Sequence, residues 1–123
     1  MRFMMIYKPA NFRDMETGVP PTAEHMAAMG KLIGELAQSG VLLATDGLQK
    51  SAKGARVKVS ESKVTVTDGP FTEAKELIAG FAIFELPSKV EAIELTKRFL
   101  SIAGDGEVEI RQMQDRPAFP PSE

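Results

Sequence analysis

Alternating and 3.6-residue patterns of apolar positions divide the chain into eight elements. Residues 2–8 are apolar on both alternate sets, with Phe3, Met5 and Tyr7 on one and Met4 and Ile6 on the other. This predicts a strand covered on both faces and central in its sheet. Residues 9–21, rich in Pro, Gly and polar side chains, read as a loop. Thr22 is placed to cap a helix, with Glu24 in its first turn. Met26, Met29, Ile33, Leu36 and Ala37 form the expected apolar stripe. Ser39-Gly40 ends that helix, and Val41–Thr45 is a second strand. A polar connection over 49–55, expected to be mobile, leads into a hairpin. In it Val57 and Val59 pair with Val64 and Val66 across Ser60-Glu61-Ser62. Asp68-Gly69-Pro70-Phe71 is a turn, and residues 72–78 are expected to make a short helical turn. A strand over 79–86 precedes a second long helix. Ser88 and Glu91 give that helix a capping box, and Ala92, Leu95, Phe99 and Ile102 its buried face. Gly104 to Gly106 stop it before a last strand at 107–113. The proline-rich tail from Asp115 is expected to wrap the surface or a partner.

The resulting order, β-α-β-(hairpin)-β-α-β, is the split βαβ or ferredoxin-like α+β pattern with an inserted β-hairpin. Two helices cover one face of such a sheet. The apolar residues on the other face call for a cover, and a second copy of the chain is the expected one, making a homodimer.

With 123 residues, 43% of them apolar and 26% charged, one globular domain over 1–123 is expected. Net charge −2 lacks the basic face that nucleic acid needs. The absence of cysteine excludes disulfides, thiolate metal sites and a cysteine nucleophile, and fits a reducing compartment. The apolar start is too short for a signal h-region, and no run approaches the ~20 residues of a membrane span. The expected location is the cytoplasm, with no membrane or nucleic-acid partner.

The run Val66-Thr67-Asp68-Gly69-Pro70-Phe71-Thr72-Glu73-Ala74-Lys75-Glu76, followed by Ala79-Gly80-Phe81, closely resembles the signature of the DGPF-motif branch of the YCII-related proteins. Met4-Met5-Ile6-Tyr7, Gly40-Val41-Leu42-Leu43, Asp46-Gly47-Leu48 and Glu109-Ile110-Arg111-Gln112 extend the resemblance over most of the chain. The resemblance implies a dimeric α+β barrel. It also implies a role for some members beside alternative sigma factors of the extracytoplasmic-function type. Simpler relatives carry a His near the start of the first long helix with an acidic partner, and Glu24-His25-Met26 stands at that place. Their Asp-Pro-aromatic segment after the second helix is missing here.

His25, the sole histidine, flanks the apolar stripe of its helix. It is either a general acid/base or a boundary residue without a role. Asp68 is either a carboxylate offered to a ligand beside Gly69 or an Asx-turn residue. If the two form a dyad, both should border one concavity. Phe71 is an anchor for its loop or a stacking platform. Glu73, Lys75 and Glu76 could give an acid and a cation for an anionic substrate, or a solvated face. Arg111 could clamp a carboxylate or pair with a neighbouring acid. Tyr7 and Asp46 complete the candidate ligand-binding set. One histidine without cysteine argues against zinc, and no phosphate loop or nucleophile elbow is present, so no metal or cofactor is expected. The expected function is binding of a small organic molecule near helix one, the Asp46 loop and the DGPF loop, with weak acid/base chemistry. The alternative is a regulatory interaction protein that is not an enzyme.

Overall fold

The computed structural model describes residues 1–71, 73 and 77–115. The central feature is a four-stranded antiparallel sheet in the order β2-β5-β1-β6, built from β1 (Arg2–Pro9), β2 (Leu42–Gly47), β5 (Gly80–Glu85) and β6 (Gly106–Gln112). This order, with helices α2 (Ala23–Gln38) and α3 (Lys89–Ala103) in the two crossovers, is the ferredoxin-like α+β arrangement. β1 lies between β5 and β6, as its two apolar faces predict. The inserted hairpin, β3 (Ala55–Ser60) and β4 (Lys63–Asp68), forms a two-stranded sheet of its own.

Register sorts the side chains into two faces. Phe3 lies opposite Phe84, and Met5 opposite Ala82 and Ile110. These point toward the helices and join Leu86 and Ala92 in the core. Met4 opposite Ile83, and Ile6 opposite Phe81, point to the open face. Their neighbours there on β6 are Arg111 and Glu109. Thr96 is the buried polar side chain of α3. Its hydroxyl donates to the Ala92 carbonyl at 2.8 Å, so its burial leaves no donor unmet.

The helix ends follow their capping residues. Thr22 Oγ1 accepts the His25 N–H at 3.1 Å, and Ser88 Oγ accepts the Glu91 N–H at 3.3 Å. Gly40, at φ 78°, supplies the left-handed residue after α2.

Three expectations are corrected. The loop over 9–21 contains a short helix, α1 (Phe12–Thr17), which begins at Asn11 with no side-chain cap bond and so lacked a start signal. The buried stripe of α2 is rotated. Leu32 is its buried residue, whereas Met26 is 60% exposed, because the face against the sheet runs through His25, Met29, Leu32 and Leu36. The polar connection over 49–55 includes a single 3-10 turn, Ser51–Lys53. The expected hairpin is present, with Val57 opposite Val66 and Val59 opposite Val64. Its turn is tighter than expected, because Ser60 pairs with Lys63 and leaves Glu61 and Ser62 as the loop. The helical turn expected over 72–78 falls largely outside the described residues, as does the tail after Asp115; Leu77 and Ile78 are not helical.

Candidate functional site

The helix-facing side of the sheet encloses a cleft of about 270 Å³ against α2 and α3. Its walls are apolar: Met5, Met29, Leu32, Leu36, Phe84 and Leu95. Three polar side chains on that face reach it, Tyr7, His25 and Thr45. The Thr45 hydroxyl is committed, donating to the Phe81 carbonyl at 3.0 Å. Among the described residues, neither the Tyr7 hydroxyl nor the His25 ring has a hydrogen-bond partner.

Each of the two is held by its surroundings. His25 is the third residue of α2, its backbone fixed by the Thr22 cap. Side chains on a helix lean toward its N-terminus, so His25 stands toward the outer end of the cleft. Tyr7 projects from the central strand, and its ring meets Phe99 of α3 edge-on, with centroids 5.1 Å apart and planes at 84°. Gly106 makes room for it. A Cβ there would lie 2.9 Å from Tyr7 Cε1. Burial, and then the Asp105 carboxylate, raise the Tyr7 pKa above the ordinary phenol value. The hydroxyl is therefore a neutral donor at physiological pH.

The cleft opens into a wider groove, about 1,040 Å³, which Tyr7 and His25 also line and which runs past Pro20, Pro21, Lys50 and Lys53. A neighbouring cleft of about 360 Å³ lies under the 3-10 turn, where Phe12, Glu16, Ser51 and Phe71 meet. Met15 lines all three spaces.

The Asp68–Phe71 turn belongs to this second region. The Phe71 N–H donates to Ser51 Oγ at 2.9 Å, and the Gly69 N–H to the Gly54 carbonyl at 3.0 Å. The Ser51 N–H donates to Glu16 Oε2 at 2.8 Å, and the Ser51 hydroxyl donates to Glu16 Oε1. These bonds to Ser51 pull the Glu16 pKa below the usual carboxylate range. The Arg56 guanidinium stacks over the Phe71 ring at 3.9 Å. Gly69 sits so close to the 3-10 turn that a Cβ would lie 2.6 Å from the Ser51 carbonyl carbon. The turn thus joins the hairpin base to α1.

The structure gathers some of the sequence-derived residues and separates others. Tyr7 and His25 share the helix–sheet cleft. Asp46 borders it, although its register opposite Phe81 turns its side chain to the open face. Asp68 is exposed at the end of β4 and borders none of the three spaces. Phe71 lines the second cleft. Arg111 is exposed on the open face, where it pairs with Glu109 at 3.2 Å; Lys8 approaches the same carboxylate at 3.3 Å. Arg111 first, then Lys8, lower the Glu109 pKa. Lys75 lies outside the described residues. Glu16 and Ser51 were not singled out, because a contact 35 residues apart between two common surface types leaves no local signal. No group of three His, Cys, Asp or Glu able to hold a metal occurs among the described residues. No helix among them is long and apolar enough to cross a membrane.

Residues 1–115 match the YCII-related domain. The chain belongs to the YCII-related family. Comparison with curated proteins gives no match. Among solved structures, this YCII-related chain is similar to the 5-chloro-2-hydroxyhydroquinone dehydrochlorinase TftG from Burkholderia phenoliruptrix AC1100, in complex with 2,5-dihydroxybenzoquinone. The identity is 15%, the TM-score 0.42, and the match covers 93% of this chain and 94% of that one.

Proposed function

We propose that the chain is a single cytoplasmic domain that binds a small, mainly apolar organic molecule in the helix–sheet cleft. The observation that carries this is an apolar cavity lined by two polar groups, the Tyr7 hydroxyl and the His25 ring, which have no hydrogen-bond partner among the described residues. No side-chain nitrogen or oxygen buried from water lacks a partner among the described residues, so water reaches both groups. A ligand atom that meets them replaces that water while its apolar body fills the cleft. His25 can accept or donate a proton there, while neutral Tyr7 orients the bound group. The pairing of His25 with Asp68 is not part of this reading. We also place the chain in the DGPF-motif branch on Asp68–Phe71, and propose a homodimeric α+β barrel closed through the open sheet face. That face carries Met4, Ile6, Phe81 and Ile83.

A thermal-shift screen with a library of small aromatic and aliphatic compounds tests the binding reading. Compounds with an apolar body and one hydrogen-bonding group should raise the melting temperature of the wild type. Their affinity should fall about tenfold or more, ~1.4 kcal/mol, in His25→Ala and in Tyr7→Phe. A wild type that responds to none of them, or hits unaffected by either substitution, refutes it. The rival, a regulatory interaction protein working beside sigma factors, predicts that capture of another protein depends on the hairpin and is indifferent to His25→Ala.

A further inference from the structure

The helix–sheet cleft, about 270 Å³, is smaller than the ~300–1,000 Å³ that ordinarily holds a small molecule. A ligand of ordinary size therefore extends through its mouth into the wider groove, which shares Tyr7, Met15, His25 and Met29 with it. What else lines the groove decides what the outer part of the ligand carries. Its charged side chains, His25 aside, are Lys50 and Lys53 against Asp14. The two lysines are held together. The Lys53 N–H donates to the Lys50 carbonyl at 3.0 Å, closing a 3-10 turn that brings residues three apart onto one side. That turn is pinned twice: the Ser51 N–H donates to Glu16 Oε2 at 2.8 Å, and Ser51 Oγ accepts the Phe71 N–H at 2.9 Å. Neither ammonium forms an ion pair among the described residues. Lys50 acts at longer range on the Glu16 carboxylate, but Ser51 engages both oxygens of that group. Residues 49–55 hold no acid, in a chain of net charge −2. Like charges fixed side by side repel, and an anion between them relieves the repulsion.

We infer that the ligand of the cleft is an amphipathic monocarboxylic acid, its apolar body against Met5, Leu32 and Leu95 and its carboxylate in the groove between Lys50 and Lys53. This rests on the binding reading above and adds the charge and direction of the guest. Direction follows from the other end of the cleft. Burial at Tyr7 disfavours a charge there, and the Asp105 carboxylate acts on the same ring, so an anion is repelled from it. A neutral acceptor meets the Tyr7 hydroxyl, and the charged end lies at the lysines. Asp14 offsets one of the two cations, so the groove balances one negative charge and not two. The pinned turn holds the ammonium pair ready before the ligand arrives, which lowers the ordering cost of binding.

Titration calorimetry with matched probes tests this: phenylacetate, cinnamate and octanoate against phenylethanol, cinnamyl alcohol and octanol. The acids should bind about fivefold or more tightly than their alcohols at low salt, as two exposed ion pairs allow. Raising salt from about 0.05 M to about 0.5 M should remove most of that advantage. Both lysines are exposed, so Lys50→Gln with Lys53→Gln should leave the unliganded melting temperature unchanged. That double variant should bring the acids down to the alcohols and leave the alcohols as they were. Lys50→Glu with Lys53→Glu should turn the preference toward phenylethylamine and octylamine. Acids and alcohols that bind alike, each weakened by Tyr7→Phe, keep the cleft and overturn the acid. An acid preference that survives the double glutamine variant overturns the lysine pair as its seat. No binding by any probe overturns the cleft reading and this inference together.

Discussion

Gly69→Ala is the sharpest test of how the hairpin base is seated. The added Cβ would stand 2.6 Å from the Ser51 carbonyl carbon and 3.2 Å from the Ala52 nitrogen. Both are backbone atoms, so no side-chain rotation relieves the clash, and the Asp68–Phe71 turn must lift off the 3-10 turn. Lifting it breaks the Gly69-to-Gly54 and Phe71-to-Ser51 hydrogen bonds, about 1 kcal/mol each. It also separates Phe71 from the Ser51 turn and disturbs the stacking of Arg56 on its ring, about 0.5–1 kcal/mol more. The expected loss is about 2–3 kcal/mol, which for a chain of this size lowers the melting temperature by roughly 10 °C. Urea unfolding followed by circular dichroism measures it. Gly30→Ala is the control of opposite sign. It lies within α2, a Cβ there meets nothing within 4 Å, and helix propensity alone should stabilise by up to about 1 kcal/mol. If Gly69→Ala changes stability by less than about 0.5 kcal/mol, the turn is not seated as described.

Glu16 has a lowered folded pKa, so its bonds to Ser51 stabilise the protein above the ordinary carboxylate range and are lost as pH falls through the lowered value. Wild type should therefore exceed Glu16→Gln in stability at pH 7, with the gap closing below about pH 4; a gap constant from pH 7 to 3 contradicts this. Tyr7 has a raised folded pKa, and its neutral form is favoured in the folded state. Wild type should lose stability relative to Tyr7→Phe as pH rises past about 10, where the unfolded phenol ionises first. A pair of melting curves at pH 8 and 10.5 decides it. Glu61 and Ser62 hold φ of 50° and 67°, the left-handed conformation that a two-residue hairpin turn demands. Glu61→Asn with Ser62→Gly should relax both and slow amide exchange at Lys58 and Thr65, the hydrogen-bonded pair nearest the turn-closing one, by severalfold; unchanged exchange would show that the turn is unstrained.

Much of the fold was legible because local chemistry and global packing agree. Thr22, Ser88 and Gly40 mark helix ends by hydrogen-bonding and backbone preferences that act within a few residues. The doubly apolar pattern of residues 2–8 announced a central strand, and four alternating valines announced the hairpin. The stripe of α2 was misplaced because Ala27, Ala28, Gly30 and Gly34 are too small to mark which face turns inward. Met26 and Leu32 then competed for the inner position, and contact with the sheet decided for Leu32. α1 is too short to show a period. Of the candidate site, His25 and Tyr7 could be nominated by side-chain chemistry, but their shared cleft arises from α2 crossing the central strand. The Glu16–Ser51–Phe71 chain of bonds joins three segments distant in sequence, and such pairings leave no mark in local composition.

Three methionines, Met5, Met15 and Met29, line the helix–sheet cleft. Thioether side chains are unbranched and polarisable, and they change rotamer to suit what lies against them. A wall made of them moulds itself to a guest. Selectivity in such a cleft comes from its fixed polar points, so ring size and branching should matter less to this chain than the distance between a ligand's apolar body and the group it offers to Tyr7 and His25.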